Sequence, residues 1–318
     1  QAYMPVSTSS DIVTWYPDIV RAQEKFILPI LGQDLYDELI TARVNNSTDP
    51  IYVKLLHAVR KPLAHFTQML TRPISSVNID ANGIRMVKSG DMVTAWQWMV
   101  NDVDSYWLKG GYDGLENLLK FLLKNKEDYD SWTDSEEYEE ISNFFIRTAS
   151  EFGKFRKIDG QYTLSLLSSS MRDIEDTIII NNITEGVFMD LKDAQEADDM
   201  DENEKSLLKH IQRAIAHLCI AKASDEIPFE ISEQGISLRL RTGDSNIKQE
   251  PADINSMLWM KKEAEEKGKA AISALRKYMD SVASDSVFED YFNSSLYTAP
   301  GTEKKTGYDN TDKRIFVA

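Results

Sequence analysis

The sequence has little cysteine and no long apolar run. Cys219 is the single cysteine among 318 residues, which excludes an internal disulfide framework and favours a reducing compartment or a fold that needs no disulfides. No stretch approaches the ~18 continuous apolar residues of a membrane span, so we expect no membrane segment. The chain starts at Gln1 rather than Met, which leaves room for a leader before it.

Motifs of known chemistries are lacking as well. There is no Gly-x-Ser-x-Gly elbow, no Walker loop, no Gly-x-Gly-x-x-Gly fingerprint, and no His-x-x-x-His or Cys-x-x-Cys pair. Asp199-x-Asp201-x-Asn203 imitates a calcium loop, but Glu204 replaces the turn glycine and His210 the final glutamate. Asp201 and Glu204 fit a helix capping box better. We therefore predict a protein that is not an enzyme, with no catalytic residue, cofactor or metal site.

Positive charge is in deficit, with 36 Lys and Arg against 52 Asp and Glu and a net charge of −16. Such a balance argues against nucleic acid or an anionic membrane as the main partner. Segments 127–140 and 193–204 hold eight and seven acids and no base, and the rest of the chain is nearly neutral. These segments are either solvated loops and first helical turns, where carboxylates suit the helix dipole, or a docking surface for a basic partner.

The sequence contains an internal duplication at a constant offset of 152 between residues 26 and 86. Ten pairs are identical where about three would match by residue frequencies: Leu39/Leu191, Ala42/Ala194, Asp49/Asp201, Leu55/Leu207, Leu56/Leu208, Ala64/Ala216, His65/His217, Ile79/Ile231, Gly83/Gly235 and Ile84/Ile236. Further along, Leu118, Phe121 and Leu122 align with Leu275, Tyr278 and Met279 at an offset of 157. The chain is therefore predicted to be a tandem repeat of one module.

Apolar periodicity predicts a mostly α fold of two similar helical modules, each with three helices, one β-hairpin and one long or broken helix. We place the first module at 1–132 with its hairpin near 76–88, and a connecting helix at 133–160. The second module spans 161–296 with its hairpin near 228–241, and 297–318 form a C-terminal arm.

Local signals refine this expectation. A helix from Ile12 to Ile30 closes at Gly32, and Asp49 caps a third helix. We expect Gly110-Gly111 to break the helix at 91–108, and a single helix at 134–158 to join the copies. Of the tryptophans, Trp96 and Trp107 share a face and are expected in the core, whereas Trp98 points away from them.

Three stretches carry a resemblance to known proteins: residues 22–36 (AQEKFILPILGQDLY), 111–122 (GYDGLENLLKFL) and 145–152 (FIRTASEF). They resemble an uncharacterised family from bacterial genomes and their prophages. The single module is similar to the head–tail connector, or adaptor, proteins of tailed phages. This resemblance implies an oligomer that forms on assembly, with no cofactor and with portal or tail components, or its own copies in a ring, as partners. A fused pair of modules departs from the usual one-module connector.

We therefore predict a non-enzymatic structural protein of a phage or prophage particle, made in the bacterial cytoplasm and carried in the virion. Candidate partner contacts are the exposed tryptophan, the two hairpin turns and the apolar chain end: Trp98, Asn82, Gly83, Gln234, Gly235 and Phe316. Two alternatives stay open, a helical interaction scaffold of a bacterial cell and a hydrolase with a dispersed site.

Overall fold

The computed structural model describes residues 12–75, 77–80, 83–86, 96–224, 229–232, 235–238 and 254–301. The first module consists of a π-helical turn, Gln23–Ile27, and five helices: α1 (Ile12–Ala22), α2 (Leu28–Leu31), α3 (Gln33–Val44), α4 (Pro50–Ser75) and α5 (Gln97–Lys124). Asp49 accepts a hydrogen bond from the Ile51 N–H at 2.9 Å, as its predicted capping role requires.

Three short helices and a 3₁₀ turn, Lys126–Asp128, lead to the second module: α6 (Asp130–Thr133), α7 (Glu136–Ser142) and α8 (Ala149–Gly153). The second module has the π-helical turn Glu175–Ile179 and the helices α9 (Gly160–Ile174), α10 (Ile180–Ile183), α11 (Glu185–Ala197), α12 (Glu202–Ala223), α13 (Ile254–Val282) and α14 (Glu289–Phe292).

The duplication extends to backbone detail. Both π-helical turns precede a four-residue helix, and they begin at residues 23 and 175, which differ by 152. The residue after that helix has nearly the same dihedrals in both copies: Gly32 has φ 71° and ψ 163°, and Thr184 has φ 74° and ψ 156°. The predicted tandem repeat is therefore a repeat of structure as well as of sequence.

Each module has its own apolar core. The first core includes Phe26, Phe66, Leu118 and Trp132, and its last member along the chain is Tyr138. The second core begins at Phe145 and continues through α9 to α14. The chain therefore passes from one core to the other within a few residues after α7, and each module buries its own helical faces.

The predicted single helix at 134–158 is wrong. α7 ends at Ser142, and α8 starts only at Ala149. The cause is local capping, because the hydroxyls of Ser135 and Thr148 accept backbone N–H groups and start two separate helices. At Thr148 the Glu151 carboxylate completes a capping box.

The predicted helix break at Gly110-Gly111 is wrong too, because α5 runs through both residues. A Cβ atom at Gly111 would lie 2.6 Å from the Phe66 ring, so the glycine allows α5 to approach α4 closely. The second module repeats this contact, since a Cβ atom at Gly268 would lie 2.5 Å from Leu218. Gly268 and Leu218 follow Gly111 and Phe66 by 157 and 152 residues, which are the two offsets of the repeat.

Two short antiparallel ladders follow α4 and α12. Strand β1 (Val77–Asp80) pairs with β2 (Gly83–Met86), and β3 (Phe229–Ser232) pairs with β4 (Gly235–Leu238). Neither ladder is part of a larger sheet in the described ranges. The predicted fold class, with a β-hairpin in each module, is therefore corrected to an all-α fold. A lone ladder of this length has marginal stability in water, so the helices define the architecture.

The two modules contact each other through α5 and α9. The rings of Tyr112 and Tyr162 lie 4.7 Å apart, and Lys109 Nζ lies 2.8 Å from the Asp159 carboxylate. At the other end of the second module, Tyr297 packs on the second core, which places the start of the predicted arm against the module; residues 302–318 lie outside the described residues. Among the helices that the structure describes, none is long and apolar enough to cross a membrane.

Candidate assembly surface

An exposed apolar stripe runs along the first half of α5. Trp96, Met99, Val103 and Tyr106 are 68%, 39%, 43% and 56% exposed. Met99, Val103 and Tyr106 are four and three residues apart, which places them on one side of the helix over about 10 Å, and Trp96 directly precedes the first helical residue. Single exposed apolar side chains are ordinary, but a contiguous row of them marks an interaction surface. We call these four residues the α5 stripe.

The α5 stripe rests on a firmly packed helix. On the other side of α5, Leu118 and Leu122 are fully buried against the first core. Near the stripe, Arg72 at the end of α4 donates to the Val100 carbonyl at 3.0 Å and pairs with the Asp104 carboxylate. These contacts hold the helix in place, so the stripe is presented on a rigid element.

The position of Trp96 contradicts the sequence prediction. It was expected in the core beside Trp107, which is buried, yet Trp96 is 68% exposed. The reason is that Trp96 precedes α5 with an extended backbone (φ −64°, ψ 148°), so helical periodicity does not describe where its side chain lies. The alternating spacing of Trp96, Met99, Val103 and Tyr106 was visible in the sequence, but periodicity alone does not distinguish a buried face from an exposed one.

The predicted contact residues lie in different places. Trp98 is the second residue of α5, and its side chain is outside the described part of the structure. Gly83 and Gly235 begin β2 and β4. Asn82, Gln234 and Phe316 lie outside the described residues. The proposed contacts of these residues therefore stay predictions.

Other exposed apolar side chains are more scattered. In the second module Leu258 and Trp259 are 60% and 66% exposed near the start of α13, the counterpart of α5. On α1 Val13 and Tyr16 are exposed as well. Each of these pairs is shorter than the α5 stripe, so that stripe is the most extended apolar row among the side chains that the structure describes.

A buried ion pair holds the segment between the modules, and no sequence pattern predicts it. Lys192 Nζ lies 2.7 Å from the Glu175 carboxylate, and their side chains are only 12% and 3% exposed. The second Glu175 oxygen accepts the Phe145 N–H at 3.0 Å, and Gln212 donates to the Phe145 carbonyl at 2.8 Å. The Lys192 ammonium also lies 3.7 Å from the centre of the Phe145 ring.

Burial of these two charged groups costs free energy, because each loses its hydration. Each group therefore depends on the other to remain charged. Burial raises the pKa of Glu175 and lowers the pKa of Lys192, and the neighbouring opposite charge counteracts both shifts. The first module lacks the pair, because Gln23 and Ile40 occupy the corresponding positions. The pair is thus specific to the point where the linking segment enters the second module.

The acidic segments coincide in part with helix starts, although Asp193, Glu196 and Asp198 lie at the C-terminal end of α11. Glu136, Glu137 and Glu139 lie in the first turn of α7, and Glu202 and Glu204 in the first turn of α12. Asp201 caps α12 in a capping box with Glu204, as predicted. These contacts favour the interpretation of solvated first turns near a helix dipole.

His65, His217 and Cys219 are packing residues. His65 and His217 are buried, and the Nδ1 atom of each has no hydrogen-bond partner. Burial lowers the pKa of both imidazoles and raises the pKa of the Cys219 thiol. Within the described ranges, no group of three or more His, Cys, Asp or Glu side chains is placed to hold a metal ion.

Comparisons with known proteins give one match. A family model described as "Family of unknown function (DUF6712)" matches residues 27–142 and matches again at 177–301. The two matches cover most of the chain, and they correspond to the two modules. No curated protein and no solved structure matches the chain.

Proposed function

The chain belongs to DUF6712, a family of unknown function, and carries the family's module twice; from this premise we propose that it is a non-enzymatic assembly protein of a phage or prophage particle, similar to a head–tail connector. The observation that carries the proposal is the α5 stripe. In this role the chain joins portal or tail components, or copies of itself in a ring, through helix-to-helix contacts.

The stripe suits such a contact in its geometry. Apolar residues that alternate three and four apart form the seam by which one helix packs against another. Trp96 and Tyr106 stand at the two ends of the stripe, and such large aromatic side chains are enriched among the residues that dominate binding energy. The aliphatic middle, Met99 and Val103, gives a low ridge that fits between the side chains of a partner helix.

Mass measurement of the purified chain tests the proposal. Multi-angle light scattering at high concentration, alone and with the portal protein of the same genome, is followed by electron microscopy of any ring. We expect an assembled species for the unaltered chain and its loss in the double variant Met99→Glu/Val103→Glu, with unchanged helix content.

A matched control uses the same substitutions away from the stripe. Met189 and Val44 are 52% and 73% exposed on α11 and α3, so Met189→Glu/Val44→Glu introduces the same charges at exposed positions outside the stripe. This control is expected to assemble like the unaltered chain. Assembly that survives the stripe variant, or monomers alone at every concentration with and without portal protein, would contradict the proposal. Portal and capsid genes beside the coding gene would support the phage role, and their absence would favour a cellular scaffold.

A further inference from the structure

A large cleft lies where the linking segment meets the second module. Its volume is about 930 Å³, within the range of small-molecule sites. The first half of α12 and the end of α11 form one side, and residues 147–155 and the end of α5 form the other. We call it the junction cleft.

The junction cleft is basic although the chain is strongly acidic. Three carboxylates line it, those of Glu151, Asp198 and Glu202. Against them stand twice as many cationic side chains: Lys126, Arg147, Lys154, Lys205, Lys209 and Arg213. A concave surface lined by an excess of one charge concentrates ligands of the opposite sign, so this cleft favours an anion in a protein whose net charge is −16.

The duplication provides an internal comparison. The first module has the corresponding groove between α3 and α4, but its volume is only about 100 Å³. Lys205, Lys209 and Arg213 follow one another by one turn on a single face of α12. Their counterparts at the offset of 152 are Val53, His57 and Lys61, so two of the three cations belong to the second module alone. The first groove has Arg43 and Arg60 where the second module has Gln195 and Gln212. The second copy has therefore gained space and places its cations along α12, rather than gaining positive charge.

The cleft lining also has buried polar atoms without partners. Gln195 is 9% exposed, and its Nε2 faces the Phe145 carbonyl at 3.4 Å. A carbonyl can only accept, so the amide orientation is fixed and Oε1 is left as an acceptor without a donor. Arg147 donates through a terminal nitrogen to the Ser142 carbonyl, and its buried Nε–H has no acceptor. Buried groups of this kind require a partner, and a ligand that displaces the side chains covering these two atoms can supply it.

Apolar side chains complete the lining. Phe155, Met200 and Leu208 face the cleft, and the Arg213 guanidinium lies 5.8 Å from the centre of the Phe155 ring. An arginine beside an aromatic ring forms a surface on which a flat ring can stack. The cleft thus combines cations, one orphan donor, one orphan acceptor and an aromatic surface.

We propose that the junction cleft binds a phosphorylated small molecule of nucleotide size. The phosphates lie among Lys205, Lys209 and Arg213, and a phosphate oxygen accepts from Arg147 Nε–H. A hydroxyl or amino group of the ligand donates to Gln195 Oε1, and its ring packs on Phe155. This inference is independent of the assembly role, because the cleft and the α5 stripe share no residue.

Isothermal titration calorimetry of the full chain tests the proposal with ATP, AMP, ribose 5-phosphate and inorganic phosphate as probes. We expect saturable one-to-one binding of at least one nucleotide, and a lower affinity at higher salt because the contacts are charged. Lys209→Ala/Arg213→Ala is expected to weaken this binding about 100-fold, since each lost charge-assisted contact lowers affinity about tenfold. Gln195→Leu removes the acceptor alone and is expected to weaken binding about tenfold.

The control is Lys269→Ala, which removes an exposed cation of α13 that does not line the cleft. It is expected to bind like the unaltered chain, and circular dichroism verifies the fold of every variant. Absence of binding by all four probes overturns the proposal. So does equal binding by the cleft variants, or saturable binding of a glutamate-rich peptide in place of the nucleotides. Because the assembly variants leave the cleft intact, failure here leaves the assembly result unaffected.

Discussion

Thr184 illustrates at the scale of one residue how the repeat constrains the chain. Its dihedrals, φ 74° and ψ 156°, lie in a region that β-branched residues rarely adopt, and the first module has Gly32 at this place. The Thr184 hydroxyl is buried and has no hydrogen-bond partner, so no hydrogen bond of this side chain offsets the backbone strain. The second module keeps the turn because its helices require it, although the side chain is unsuited to it.

Thr184→Gly is therefore expected to stabilise the protein. Relief of the strained backbone contributes about 1–3 kcal/mol, and the greater freedom of glycine in the unfolded chain removes about 0.5–1 kcal/mol of that. Chemical denaturation measures the change in the free energy of unfolding. Gly32→Thr is the reciprocal control and is expected to destabilise; a destabilised Thr184→Gly variant would show that the turn is not strained.

The buried histidines predict how stability depends on pH. The pKa of His65 and His217 is lowered in the fold, chiefly by burial and further by nearby cations, Lys61 for the first and Arg156 for the second. The unfolded chain then binds protons more readily than the folded one, so stability falls as the pH drops below about 6.5. Urea unfolding at pH 7.5 and 5.5 measures this loss. We expect His65→Gln/His217→Gln to reduce it, and an unchanged pH dependence would argue against it.

At the scale of elements, the contact between α4 and α5 depends on glycine rather than on helix propensity. In an exposed helix interior, alanine in place of glycine stabilises by about 1 kcal/mol. At Gly111 the added Cβ atom would lie 2.6 Å from the Phe66 ring, and rings in a packed core cannot move away easily. Replacement of glycine by alanine is therefore expected to stabilise an exposed helical position and to destabilise position 111.

Gly111→Ala is expected to destabilise the first module by about 1–3 kcal/mol, the usual effect of overpacking. Gly153→Ala serves as the control, because nothing lies within 4 Å of its added Cβ atom. We expect the control to be neutral or slightly stabilising by thermal unfolding. Equal effects of both substitutions would show that close approach is not the reason for Gly111.

The ion pair at the linking segment gives a sharper test of one element. Lys192→Met leaves the Glu175 carboxylate buried without its cation, which typically costs about 3–5 kcal/mol. The double variant Glu175→Leu/Lys192→Met removes both charges and is expected to recover much of that loss. Denaturation of the single and double variants measures the difference. A double variant less stable than Lys192→Met would contradict this account of the pair.

Sequence patterns predicted where helices start and end better than they predicted which side chains are buried by other helices. The offset of 152, the cap at Asp49 and the end of the first helical segment at Gly32 follow from local residue types, and the structure confirms them. The helix through Gly110-Gly111 and the exposed Trp96 were missed, because both depend on what another helix brings near. The Glu175–Lys192 pair and the junction cleft join residues from distant parts of the chain, and no local sequence pattern predicts them.

At the scale of the whole molecule, the two copies of one module differ in the surfaces that they expose. The first has the extended apolar row on its long helix, and the second has a large basic cleft beside the linking segment. Each copy retains its own core, so a surface can change in one copy while the fold is maintained in both. This arrangement suits a protein that makes one kind of contact through each half.

Site-specific photo-cross-linking tests the central claim, assembly through the α5 stripe, most directly. A photoreactive phenylalanine analogue replaces Val103 in the stripe or Val44 on α3, both of which are exposed. With the purified chain at high concentration, alone and with portal protein, the account predicts a covalent product from position 103 that contains a second copy or the portal chain, and none from position 44. Equal products from both positions, or none from position 103, would contradict it.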